Sequence, residues 1–262
     1  MTAQSVQAVE RAIEVLDVIR DSGGEAGVSE ISRELDLAKS TVHRLLCALT
    51  KGGLVKKNEE TNAYSLGHKI LELAFEATTE WELMSIAMPY LEELRDLVEE
   101  TTALAYRFGW KYTYVAQAVS LSEYCFTPHL GQQYPLHWAA TGKTILAHLP
   151  SGEIDEYLRY VPLKPATDHT ITESNTLLSE LNKIQTVDYA VSFGERRPGA
   201  SAVAAPLLNH EDRPYGAVAV IGPESRLQGR NIEALGLAVT KAAQRISIAA
   251  RPIAVKISAP YR

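Results

Sequence analysis

The first 50 residues carry the apolar spacing of three amphipathic helices. Over residues 6–20 the apolar positions recur every three or four residues, and this predicts one buried face made of Val9, Ala12, Ile13, Leu16 and Ile19. A short helix around Ile31 and a third helix over 39–50 follow, separated by the brief connection 36–38. A short helix, a tight connection and a second helix form the helix-turn-helix arrangement.

Two short segments of strand-like pattern follow the third helix. Residues 54–57 and 63–66 predict strands, and the polar residues 58–62 between them predict a turn. A two-stranded ribbon directly after a helix-turn-helix is a wing. We expect Lys56 and Lys57, near its tip, to meet the phosphates of a nucleic acid backbone.

The local charge of this region supports DNA binding, although the chain as a whole is acidic. The 262 residues include 26 basic and 32 acidic side chains, so the net charge of −6 does not by itself indicate nucleic-acid binding. Residues 37–58, in contrast, hold five cations and no acid. Arg44 is expected to reach a base edge. The predicted DNA contacts are Lys39, Ser40, Thr41, His43, Arg44, Lys56 and Lys57.

A different function remains open for this region. The three helices could form a protein-interaction bundle whose cations are simply a solvated face. The order of the elements, the local charge and the wing all favour DNA binding, because they agree with one another.

The remainder of the chain predicts an α+β domain. Residues 68–80 predict a linker helix, and residues 83–100 a further helix with a kink or a late start at Pro89. Strands enclosed by helices, without strict alternation, favour one mainly antiparallel sheet. The predicted strands are 102–108, 112–119, 201–208 and 215–222, and the predicted helices are 136–149, 157–160, 172–185 and 231–250.

Several classes of protein are excluded by composition. Two cysteines cannot form a disulfide framework and favour a reducing compartment. The start of the chain has no apolar core typical of a signal peptide, and there is no run of roughly 18 apolar residues. We therefore expect a cytoplasmic protein of two domains that does not enter a membrane.

No catalytic motif, cofactor site or metal site is predicted. The nucleophile elbow, the zinc-protease helix and the dinucleotide fingerprint are all missing, and the histidines and cysteines lack metal-ligand spacing. Residues 142–144 have the sequence Gly-Lys-Thr, which also ends a phosphate-binding loop. That loop requires a glycine at position 137, where this chain has His137. The charged run 195–197 is interpreted as a solvated loop.

Recognisable motifs lie at 5–12, 28–32, 37–46 and 64–67 in the N-terminal third, and at 135–147, 189–206 and 216–223 further on. Together these segments resemble the IclR family of bacterial transcriptional regulators. The resemblance implies a winged helix-turn-helix domain over 1–67, the linker helix over 68–80 and a GAF/PAS-like effector-binding sensor domain over 81–262. The implied function is a ligand-responsive DNA-binding regulator, either a repressor or an activator.

The resemblance also implies positions for an effector pocket. These positions are Ala140, Thr141, Ser192, Ala202, Ala219 and Ile221. Relatives that sense small oxoacids carry an acid, a cysteine and serines at the last four positions. In this chain the carboxylate at 192 and the thiol at 202 are both missing, and Ser192 is the only polar residue of the four. An apolar lining fits a ligand with a large hydrophobic face.

We therefore predict an aromatic or largely apolar effector with one polar end. That end would be held by Ser192 and by the backbone N–H groups of residues 140–142. Aromatic residues are concentrated between 100 and 140, Tyr134 among them. Those predicted to line the pocket are Tyr106, Phe108, Tyr124, Phe126 and Trp138. The alternative is that these rings only fill the core.

The predicted partners are double-stranded operator DNA, a small-molecule effector and further copies of the same chain. One helix and wing make few phosphate contacts, so useful affinity requires a homodimer or a homotetramer on a palindrome-like site. Two competing classes remain: a small-molecule-binding or interaction module without DNA binding, and an enzyme that uses the sensor pocket.

Overall fold

The computed structural model describes residues 6–76 and 78–253. The chain divides into two compact units between Thr78 and Thr79. No helix among the described residues has the length and apolar character needed to cross a lipid bilayer.

The first unit is a winged helix-turn-helix, as predicted. Its elements are α1 (Gln7–Asp21), α2 (Val28–Glu34), α3 (Lys39–Lys51), β1 (Val55–Lys57), β2 (Tyr64–Leu66) and α4 (Lys69–Glu76). The two strands pair antiparallel, with Val55 opposite Leu66. Val42 and Leu46 of α3 are fully buried with Ile31 of α2, which explains why the apolar stripe of α3 predicts its orientation.

The prediction that the whole apolar face of α1 is buried is wrong for its N-terminal half. Val15 and Ile19 are fully buried, but Val9 and Ile13 are 56% and 55% exposed. The apolar stripe of α1 is wider than the surface that the rest of the first unit offers it. An exposed apolar strip consisting of Val6, Val9 and Ile13 therefore remains on α1.

The second unit is an α+β domain, as predicted. Its elements are α5 (Thr78–Val98), β3 (Thr101–Phe108), β4 (Lys111–Ala118), β5 (Gln133–Pro135), α6 (Ala139–Ala147), α7 (Ser151–Tyr160), α8 (Ser174–Val187), β6 (Ala190–Phe193), β7 (Ala200–Leu208), β8 (Pro214–Pro223), α9 (Glu224–Leu227) and α10 (Ile232–Ala249). Six strands form one sheet in the order β5-β4-β3-β8-β7-β6, with every neighbouring pair antiparallel.

Helices cover both faces of this sheet, and the two faces hold separate apolar clusters. On the α10 face, side chains of α5 and α10 pack on Leu104, Val203 and Val218. On the α6 face, side chains of α6, α7 and α8 pack on strand residues that are mostly alanine. Because side chains alternate along a strand, neighbouring residues belong to opposite clusters.

Several sequence-based boundaries differ from the structure. A late start at Pro89 is wrong, because α5 begins at Thr78; Leu83 and Leu91, on either side of the proline, are fully buried and hold the helix on the sheet. The predicted helix 136–149 begins at Ala139, and the predicted helix 157–160 begins at Ser151. The strands β5 and β6 escaped prediction because three or four residues are too few to establish a period of two.

Candidate functional site

The outer surface of α3 is the first candidate site. Its inner stripe is buried, so Lys39, Ser40, His43 and Arg44 are exposed and Thr41 is half-buried. The connection before the helix is tight because Asp36 adopts a left-handed conformation, with φ of 50°. Ser32 fixes this connection by donating a hydrogen bond to the carbonyl oxygen of Leu37 at 2.6 Å.

The predicted DNA-contacting cations differ in how free they are. Among the described residues, Lys39, Arg44 and Lys56 have no ion-pair partner. Lys57, in contrast, places its Nζ 3.0 Å from Oε2 of Glu59, and this hydrogen-bonded contact raises the pKa of Lys57. The acid lies just beyond the acid-free segment, so the wing presents less free positive charge than the sequence suggests.

The second candidate site lies on the α6 face of the sheet. The structure brings all six pocket positions to this face. Ser192 pairs with Ala202, Ala202 pairs with Ile221, and all three side chains are buried. Thr141, in the first turn of α6, lies 2.8 Å from the Tyr114 hydroxyl through its Oγ1. The remaining positions, Ala140 and Ala219, belong to the same cluster.

Two of the predicted aromatic residues do not line this face. Tyr106 packs in the cluster of the α10 face and Phe108 packs against it, with the two ring centroids 4.6 Å apart. The physical reason is strand alternation, since Ala105 faces α6 and its neighbour must face the other way. The alternative, that aromatic rings only fill the core, therefore holds for Tyr106.

The other predicted rings are divided between the surface and the α6 face. Tyr124 is 65% exposed and contacts Phe126 at 5.8 Å between ring centroids, so its prediction as a pocket residue is wrong. Phe126 and Trp138 are half-buried and pack against the α6 face. The Trp138 indole donates a hydrogen bond to the carbonyl oxygen of Lys164 at 2.9 Å.

Three tyrosines outside the predicted lining form the aromatic wall of this site, and the sequence pointed only to Tyr134 among them, as one of the aromatic residues between 100 and 140. Tyr112 and Tyr114 of β4 and Tyr134 of β5 are buried, with ring centroids between 5.4 and 6.2 Å apart. Val115 is an extra residue in β4, because Leu104 pairs with Ala116 whereas Ala105 pairs with Tyr114. This bulge turns the two tyrosines toward α6 while the later part of β4 faces α10.

A buried charge network lies beside the tyrosines. Lys143 is only 1% exposed, and its Nζ donates to Glu195 Oε1 at 2.7 Å, to Glu180 Oε1 at 3.1 Å and to the carbonyl oxygen of Val191 at 3.1 Å. The interpretation of residues 195–197 as a solvated loop is therefore wrong for Glu195. Burial raises the pKa of its carboxyl group, although the charge of Lys143 acts in the opposite direction.

The start of α6 already faces a carboxylate of the protein. Trp138 precedes the helix and offers no side-chain cap. The backbone amide of Ala139 lies close enough to the Glu195 carboxylate to lower its pKa. Among the described residues the Oε2 atom of Glu195 is buried without a hydrogen-bond partner, so this acid lies near the helix end without being fully satisfied by it.

Arg196 extends from the β6–β7 loop over the tyrosines. Its Cζ lies 4.7 Å from the ring centroid of Tyr134 and 5.8 Å from that of Tyr114. Burial opposes its charge, but the neighbouring tyrosine hydroxyls outweigh burial and raise the pKa of the guanidinium. Arg196 is therefore a permanent cation inside an aromatic wall.

The histidine nearest this site makes structural contacts. The Nδ1 atom of His137 lies 2.7 Å from the Tyr157 hydroxyl, and its Nε2 lies 3.0 Å from the carbonyl oxygen of Lys164. Burial lowers the pKa of His137. Across the part of the chain that the structure describes, no three histidine, cysteine or acidic side chains converge in a way that could hold a metal ion.

A winged helix-turn-helix followed by an α+β domain with a helix-covered sheet defines a class of two-domain DNA-binding regulators. The IclR helix-turn-helix domain matches residues 8–59, and the bacterial transcriptional regulator IclR C-terminal domain matches residues 75–248. The chain belongs to the IclR family of bacterial transcriptional regulators.

Curated relatives are similar over most of their length. The HTH-type transcriptional regulator BhcR of Paracoccus denitrificans is 30% identical over 94% of this chain and 88% of its own. The HTH-type transcriptional repressor AllR of Escherichia coli K12 is 28% identical over 94% of this chain and 91% of its own. These relatives are regulators, which agrees with the prediction that this protein is not an enzyme.

Solved structures share the same fold. An IclR transcriptional regulator from Alicyclobacillus acidocaldarius has a TM-score of 0.81 at 26% identity, covering 94% of this chain and 99% of that one. An IclR homolog from Microbacterium hydrocarbonoxydans complexed with 4-hydroxybenzoate has the same TM-score and coverage at 22% identity.

Proposed function

We propose that this regulator senses a small aromatic or largely apolar molecule on the α6 face of its second unit. The observation that carries the proposal is the chemistry of that face. Alanine and isoleucine stand at 202, 219 and 221, and three tyrosine rings stand beside them. Such a lining favours a ring over a small, fully polar acid. The proposed lining residues are Phe126, Trp138, Ala140, Thr141, Ser192, Ala202, Ala219 and Ile221, together with Tyr112, Tyr114 and Tyr134.

The first unit would read double-stranded operator DNA through α3 and the wing. Arg44 would contact a base edge, with His43 beside it, and Lys39, Ser40, Thr41 and Lys56 would contact phosphates or nearby bases. Lys57 would contribute less because it is paired with Glu59. The proposed division of roles is DNA reading by 1–67, connection by 68–80 and sensing by 81–262, in a cytoplasmic protein.

Pairing of two chains would complete the DNA-reading surface. The exposed strip of Val6, Val9 and Ile13 on α1 supports a homodimer or a homotetramer, because an apolar strip of this kind is stabilised by a covering surface. Effector binding would bias how the chains pair and so change the separation of the two recognition helices. Sedimentation of the V9D/I13D double variant against the exposed control E14Q tests this pairing.

Calorimetry on the full-length protein tests the effector class. The neighbour of the same fold that holds 4-hydroxybenzoate supplies the first probe, benzoate supplies the second and glyoxylate the third. We expect both aromatic acids to bind more tightly than glyoxylate, because only they bring a ring to the tyrosines. Tighter binding of glyoxylate would overturn the proposal.

A further inference from the structure

Arg196 stands out on the α6 face as a cation without an acid. Its neighbour in sequence, Glu195, turns away and pairs with Lys143. No carboxylate among the described residues lies within 4.0 Å of the Arg196 guanidinium. The group instead sits over the rings of Tyr134 and Tyr114. A half-buried charge without a counterion is a costly arrangement, and a ligand that supplied the counterion would relieve it.

The loop that carries Arg196 is held in place by the fold. Thr170 donates a hydrogen bond from Oγ1 to the carbonyl oxygen of Glu195 at 2.6 Å, and Thr167 donates to the carbonyl oxygen of Gly194 at 2.8 Å. Gly194 adopts a left-handed conformation with φ of 67°, which a side chain would resist. Arg196 is therefore positioned by the protein before any ligand arrives.

The other cations near this face are placed differently. Lys143 contacts two carboxylates and a carbonyl oxygen. Arg197 is exposed and lies over Phe126, 5.1 Å from the ring centroid and outside the tyrosine wall. Among the described groups at the tyrosine wall, this leaves Arg196 to receive an anion. A planar guanidinium also matches a carboxylate with two parallel hydrogen bonds.

We propose that Arg196 binds the carboxylate of an aromatic acid whose ring lies against Tyr114 and Tyr134. This assignment rests on the proposed function, since it names the polar end of the effector proposed above. It replaces the backbone N–H groups of α6, which the sequence suggested, with a side chain of the β6–β7 loop.

Matched acid and amide probes test the assignment on the full-length protein. Calorimetry would compare benzoate with benzamide and 4-hydroxybenzoate with 4-hydroxybenzamide, on the wild type and on R196Q. We expect the acids to bind R196Q about 30-fold or more weakly than the wild type, because a desolvated charge pair is lost. The amides should bind the two proteins alike.

Two further variants serve as controls for this experiment. R159Q removes an exposed arginine of α7, so it shows whether net charge alone weakens acid binding; we expect little change. R196K keeps the charge but loses the planar fork, and it remains informative if R196Q does not fold. Acid binding by R196K should fall relative to the wild type, with amide binding unchanged.

The outcomes separate the two proposals. Acid binding that is equal in wild type and R196Q overturns the role of Arg196 and leaves the proposed effector class standing. An equal loss for acid and amide also overturns it, because Arg196 would then only shape the site. If neither the acids nor the amides bind the wild type, the proposed effector class fails, and the assignment of Arg196 fails with it.

Discussion

The two candidate sites of this protein differ in whether their cations are exposed and unpaired or buried and paired. On α3 and the wing, Lys39, Arg44 and Lys56 are exposed cations that have no ion-pair partner among the described residues. On the α6 face, Lys143 is fully buried and held by Glu195 and Glu180. The first arrangement suits a large polyanion that arrives from solvent, and the second fixes the geometry of the side chains on the α6 face.

Burial explains the difference. A charge in water needs no partner, so a surface that meets DNA can leave its cations free. A charge removed from water must be paired, and breaking the pair is expensive. Arg196 lies between these cases, which is why it is informative. The predictions below test this contrast, beginning with the largest expected effect.

Replacing Lys143 with methionine should have the largest effect on stability. The variant leaves Glu195 buried without its cation, and we expect a loss of about 3–5 kcal/mol in the free energy of unfolding. Urea denaturation measures this loss. The exposed Lys241→Met is the matched control and should change stability by less than about 0.5 kcal/mol. Equal effects of the two variants would contradict the buried network.

Replacing Arg44 with alanine should affect DNA binding without affecting stability. We expect a loss of about 1–3 kcal/mol in operator affinity and a weaker preference for the operator over scrambled DNA, because a base-edge contact disappears. Competition gel shifts measure both quantities. Arg20 is the control, since Asp17 and Asp21 already hold its guanidinium. Unchanged specificity in Arg44→Ala would remove Arg44 from the proposed readout.

The two wing lysines allow a comparison of how an unpaired and a paired cation contribute to DNA affinity. Lys56→Ala should weaken binding to all DNA sequences alike and reduce the salt slope of the affinity by about 1. Lys57→Ala should have a smaller effect, because Glu59 already offsets that charge. Fluorescence anisotropy over a range of salt concentrations compares the two. A larger effect at Lys57 would show that DNA displaces Glu59.

The smallest expected effect is the contribution of Glu195 to the pH dependence of the free energy of unfolding. Burial raises the pKa of this carboxyl group above its ordinary value of 4.5 in the folded protein. The folded state therefore binds the proton more tightly, and this contribution to stability is lost as the pH rises from 4.5 through the raised value. Unfolding of the wild type relative to E195Q should become easier across that interval. A relative stability that rises with pH would mean that the pKa is lowered.

The DNA-reading unit was largely predictable because its signals are local. The stripe of Val42, Leu46 and Leu49 orients α3, and the cations that remain outside it follow directly from a period of 3.6 residues. The error at Val9 and Ile13 has the opposite origin. The pattern states which residues are apolar, but the extent of the surface opposite them decides which ones are covered.

The sensing face was only partly predictable. Ala202, Ala219 and Ile221 were located through resemblance to a family, whereas Tyr106 and Phe108 were placed on the wrong face of the sheet. The residues that were missed are brought together from distant parts of the chain. Tyr114 reaches the site because a single extra residue turns the strand, and such a bulge leaves no periodic signal.

The amino-acid sequence alone determined the helix-turn-helix, most of the order of elements and the exposed cationic surface of α3, because helix periodicity and local charge depend on neighbours along the chain. Only the tertiary structure decided which side chains of the charged run 195–197 are buried and what they contact. Packing against α6 turned Glu195 toward Lys143 and left Arg196 over the tyrosines. Burial, and with it the free energy of each charge, depends on residues that are far apart in sequence.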